Sequence, residues 1–163
     1  MKTIIKALTA AGVLAVALGG TAAYAATASA TAKAKILKQV TVTKTADLDF
    51  GTVVTGTAPG TVIISSAGAR TCGTGLVCSG STAAAAFGIV GTTGQTVTIS
   101  TPLTVSLTSG LNSMSAGLLS SAATRTLSGT AADQVTVGGT LSVGANPADG
   151  DYTGSFAVTV DYQ

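Results

Sequence analysis

The sequence predicts an all-β fold, a two-sheet sandwich, on three observations. Val and Ile alternate with Thr and Ser through most of the chain, which favours pleated, half-buried strands. The chain contains no Glu, His or Trp, so the residues that usually stock helical surfaces are scarce. Glycine-, asparagine- and proline-marked turns recur at short intervals, as they do where many short strands succeed one another.

Residues 1–25 read as a secretory leader: Lys2 and Lys6, an apolar run over 7–18, and the small-x-small signal Ala23-Tyr24-Ala25. The run is too short for a membrane span and stops at Gly19-Gly20, so no span is expected after cleavage. Without the leader, Lys33, Lys35, Lys38, Lys44, Arg70 and Arg125 balance six aspartates. A neutral chain offers no electrostatic footprint for nucleic acid. The charges are nevertheless segregated, with all four lysines between 33 and 44 and four of the aspartates at or beyond 133.

Residues 26–42 alternate for unusually long, with the apolar face broken only by Lys38. Ala28, Ala30, Ala32, Ala34 and Ile36 share one face, and Thr27, Ser29, Thr31, Lys33 and Lys35 share the other. Extended, seventeen residues would span roughly 55 Å, against roughly 35 Å for a globule of this size. The stretch therefore bends, or its first dozen residues leave the domain. This divides the chain into a leader, an extension over 26–37 and a sandwich domain over 38–163.

Strand patterns follow at 46–51, 61–65, 85–90, 95–100, 103–108, 125–129, 134–137 and 140–143. Residues 65–82 read as a loop or irregular hairpin, and 111–123 is ambiguous between strand and a short helical turn. Cys72 and Cys78 are expected to form a local disulfide, as in an exported chain. The last segment, 150–163, is the clearest strand: after Gly150, the residues Phe156, Val158, Val160 and Tyr162 share one face. Being last, it must find a partner for one edge earlier in the chain or in another molecule.

No chemistry of catalysis is expected. There is no imidazole base, and any carboxylate pair must come from six aspartates. Asp47 with Asp49, and Asp149 with Asp151, are spaced to offer oxygen to calcium, but equally to serve as turn residues. No catalytic residue, metal ligand set or cofactor is assigned.

Gly150 and Tyr162 stand where chaperone-usher pilins carry a glycine fourteen residues from the C-terminus and a penultimate tyrosine. The segments Leu48-Asp49-Phe50-Gly51, Val137-Gly138-Gly139-Thr140-Leu141 and Gly150-Asp151-Tyr152-Thr153-Gly154 more closely resemble a family of secreted bacterial domains, domain of unknown function 4402. That family is similar to the pilin-like spore coat protein U domains. The resemblance implies an immunoglobulin-like two-sheet β-sandwich lacking its last strand and completed by donor-strand exchange. The partners would be identical subunits, head to tail, with a periplasmic chaperone and an outer-membrane usher. Ala28, Ala30, Ala32, Ala34 and Ile36 would be the donor positions, and Gly150, Phe156, Val158, Val160 and Tyr162 the acceptor strand. Two departures stand out: pilin disulfides join strands distant in sequence, and pilin donors carry large apolar residues rather than alanine. The expected function is a subunit of a bacterial surface fibre. The alternatives are a monomeric surface or biofilm-matrix protein whose extension folds back, and a calcium- or carbohydrate-binding module.

Overall fold

The computed structural model describes residues 24–130 and 133–163; the leader lies almost wholly outside them. The chain divides into two units, 1–34 and 35–163. In the first, residues 24–34 are exposed and belong to no strand. The second is all-β, with twelve strands among the described residues and no helix.

The larger sheet is built on β11 (Gln134–Val143). One edge of β11 pairs antiparallel with β9 (Asn112–Ser120), which continues to β8 (Thr104–Ser109). The other edge is shared end to end. Its first half pairs with β6 (Ala85–Val90) and its second half with β3 (Gly60–Ile64). Outside β6 lies β1 (Thr41–Ala46), and outside β3 lies β4 (Arg70–Cys72). The facing sheet has three strands: β10 (Thr124–Thr126), β7 (Thr96–Ser100) and β12 (Thr159–Tyr162), in that order. A small pair, β2 (Thr52–Val54) with β5 (Val77–Ser79), projects at one end.

This two-sheet arrangement is the sandwich that the alternation predicts, because each strand has one apolar face to bury. Between the sheets lie Phe87 and Ile89 of β6, Val97 and Ile99 of β7, Leu118 of β9, and Val135 and Val137 of β11. A second cluster, around Val62, Ile64, Leu141 and Val143, fills the end beneath β2 and β5. Here the disulfide Cys72–Cys78 closes across the turn between β4 and β5.

Three local readings change. The ambiguous 111–123 segment is strand β9, since Met114, Ala116 and Leu118 face the core at period two. The two patterns at 134–137 and 140–143 are one strand running through Gly138-Gly139, held straight by neighbours on both edges. The last strand is shorter than its pattern: only 159–162 is laddered, because residues 154–158, although Gly154 comes close to Ser106 of β8, make no backbone hydrogen bond to a described residue.

Candidate sheet-edge site

The C-terminal segment crosses from one sheet to the other. Thr153 bridges to Thr108 at the end of β8, with backbone hydrogen bonds in both directions, and β12 pairs with β7 from Thr159 onward. Between these two attachments, 154–158 carries no backbone hydrogen bond to a described residue. Its side chains are seated even so. Phe156, Val158, Val160 and Tyr162 all pack, half-buried, on the main core cluster, and Phe156 meets Phe87 edge to face at 6.1 Å. The segment thus has its apolar face satisfied and its polar edge unsatisfied except by solvent.

Tyr162 anchors one end. Its hydroxyl donates to the Lys38 carbonyl (2.7 Å) and accepts from the Thr92 amide (2.7 Å), while the Lys38 amide donates to Thr92 Oγ1 (2.7 Å). This ring of hydrogen bonds ties the entry of the domain to the last strand. It requires glycine at 91, where a Cβ would stand 2.6 Å from the Tyr162 hydroxyl. Beyond it, Val40 and Leu48 pack on the same core cluster as Phe156 and Val158. Two chain edges, 38–53 and 150–162, thus run antiparallel from the tyrosine towards the opposite end.

At that opposite end the edges part around a cleft of about 480 Å³. Leu107, Met114, Leu141 and Val143 line its floor, and the chain walls at 48–53 and 147–153 carry Asp49, Asp149 and Asp151, all exposed. Gly150 holds φ at +150°, and a Cβ there would run into the Ser109 hydroxyl, so the turn into the last segment needs glycine. On its β8 side, residues 154–156 border a second, shallow opening with Pro102, Thr104 and Val105.

Asp49 accepts from the Gly51 amide, the local turn bond that aspartate often makes. Among the described residues no group of three or more His, Cys, Asp or Glu side chains is placed to hold a metal ion. The most buried charge lies elsewhere. Asp133, 4% exposed, accepts from the amide and hydroxyl of Ser128 and from Arg125. Burial pushes its carboxyl up, but those hydrogen bonds and the guanidinium charge outweigh it and hold the group below its ordinary value. It is tied back to Ser128 and Arg125, a role that sequence reading missed because a lone aspartate shortly after Ser-Gly-Thr has no distinguishing spacing.

The structure therefore brings the predicted acceptor residues together along one edge. Of the predicted donor positions, Ala28, Ala30, Ala32 and Ala34 are exposed residues of the first unit, and Ile36, in the second unit, is 88% exposed. The model of the family described as Domain of unknown function (DUF4402) matches residues 40–162. The chain belongs to this family. The match begins at Val40, just beyond the Lys38 anchor, and ends on Tyr162, so it takes in both edges of the groove and leaves out the extension. None of the curated proteins and none of the solved structures compared with the chain matches it. Among the described residues no helix is long and apolar enough to cross a membrane.

Proposed function

We propose that this DUF4402 chain is a non-enzymatic structural subunit of a bacterial surface fibre. Residues 26–37 of one subunit would add as a strand along the 152–162 edge of the next. The observation that carries this reading is the half-finished state of 154–158, seated by its side chains yet without a strand partner among the described residues. A backbone edge of that kind is a template for strand addition, in which main-chain hydrogen bonds supply affinity and alternate side chains supply register.

The alanine face of the extension fits such an edge. Phe156, Val158 and Val160 already pack on the core cluster, so a strand added beside them needs only small side chains. Lys35 and Lys38 are hydrogen-bonded to Gln95 and Thr92. With the root held there, residues 26–37 span about 40 Å when extended, enough to run along the whole 152–162 edge. Export by the leader, transient capping by a periplasmic chaperone and passage through an outer-membrane usher belong to the same reading. A monomeric surface protein would instead need this edge closed by its own extension.

Fibres recovered from the cell surface should run as a heat-sensitive ladder in detergent gels. Ala32→Asp should remove the ladder while leaving thermal unfolding of the monomer unchanged. A ladder that persists in Ala32→Asp would refute strand addition by the arm.

A further inference from the structure

The root of the arm and the cleft lie at opposite ends of the groove and differ in chemistry. Lys38 is fixed beside Tyr162. From there to Asp49 along one edge, or from Tyr162 to Asp151 along the other, is eleven residues, about 35 Å of extended chain. That is the width expected of the whole domain. At the tyrosine end, Ile36 projects into solvent with Lys33, Lys35 and Lys38 around it in sequence. At the far end, an apolar floor is rimmed by Asp49, Asp149 and Asp151.

We infer that the cleft receives the arm root of a second copy, with Ile36 entering over Leu107 and Met114 while Lys33, Lys35 and Lys38 meet Asp49, Asp149 and Asp151. The inference rests on the strand-addition reading and extends it by fixing direction. An arm running parallel to 152–162 would bring the donor domain to the acceptor's tyrosine end, from which the acceptor's own arm also departs. Two chains could then exchange arms and close on each other. An antiparallel arm brings the donor's tyrosine end to the acceptor's cleft, so each subunit gives at one pole and receives at the other. That contact is heterologous and stays open, which is what a fibre requires. Only the antiparallel arrangement sets the lysine-bearing end of the arm against the aspartates. Each exposed pair contributes little alone, but three facing three steer the encounter and penalise the reversed approach.

The test is polymerisation of purified full-length mature chains, followed by light scattering at low ionic strength. Asp149→Lys with Asp151→Lys, and separately Lys35→Glu with Lys38→Glu, should each slow assembly about tenfold. A chain carrying all four reversals should return to within about twofold of wild type, and about 0.5 M salt should erase the differences. Wild-type rates in either reversed chain, or a four-fold reversal as slow as its parents, would overturn the polar contact. Ala32→Asp separates the two readings. If it polymerises normally while charge reversal still blocks assembly, the pole contact stands and strand addition falls. A wild-type chain that never polymerises removes both.

Discussion

Strand β11 and the C-terminal segment read alike in sequence but sit very differently in the fold. Both alternate apolar and polar residues, and both draw on Val, Thr and Gly. β11 has a neighbour along each edge, and Val135 and Val137 are 0% exposed. The C-terminal segment is laddered over four residues, against β7 alone, and its apolar residues are half-buried. The contrast shows that side-chain burial and backbone pairing can be satisfied separately. β11 has completed both, whereas 154–158 has completed only the first. A site for another strand is therefore a place where the pattern is strong and the ladder is missing.

The largest effect should come from placing one charge in each region. Val137→Asp buries a carboxylate with no partner between two sheets, at a cost of at least about 4 kcal/mol. That is enough to unfold a domain of ordinary stability. Val158→Asp lies where water reaches the segment and should cost about 1–2 kcal/mol. Urea unfolding of the two variants measures the difference directly. Equal losses would mean that the edge is as closed as the centre and that the comparison fails.

A middle-sized effect should come from the disulfide. The loop between β4 and β5 has little core of its own beyond Leu76. Cys72→Ser with Cys78→Ser restores loop entropy to the unfolded chain and should lower stability by about 2 kcal/mol. Amide exchange should rise over 70–79 and remain slow in β11. Uniformly faster exchange would place the disulfide in the central cooperative unit instead.

How much of this was legible in the sequence depends on which physics each feature used. The sandwich was legible because period-two burial is written directly into residue order: Val62 with Ile64, Val97 with Ile99, and Val135 with Val137 face inward as their alternation requires. The local disulfide was legible from spacing. The length of the last strand was not, because alternation reports which face is buried and says nothing about whether a neighbour exists to accept hydrogen bonds. The pairing of β11 with two strands end to end was hidden for the same reason. Gly138-Gly139 looks like a turn unless the neighbouring strands are known. Of the site, Phe156, Val158, Val160 and Tyr162 were readable as one face. The cleft was not, since it gathers Leu107, Met114 and Asp149 from distant parts of the chain.

The smallest effect sharpens the comparison most, because it tests the end at which the open edge is tied to the entry of the domain. Tyr162→Phe keeps the ring against Leu127 and Gly91 but removes the hydroxyl that joins Lys38 to Thr92. The Lys38 carbonyl is near solvent and can recover a water partner, whereas the Thr92 amide is part-buried. The net loss should be about 1 kcal/mol, too little to disturb β11. Its consequence for assembly should be larger than its consequence for folding. With the ring of hydrogen bonds broken, residues 35–38 keep the Lys38 amide and Lys35 side-chain bonds but lose their tie to the last strand, and the root of the arm is less firmly held. Tyr162→Phe should therefore unfold within about 1 kcal/mol of wild type yet polymerise more slowly. Locking the root with a disulfide between Lys38→Cys and Gly91→Cys would not be equivalent, because glycine is needed at 91. The cleaner control is Thr92→Val, which removes the Lys38 amide's acceptor while leaving the tyrosine's two bonds in place. If Tyr162→Phe and Thr92→Val both polymerise at the wild-type rate, the tyrosine serves only the fold, and the arm's direction is set by its partner.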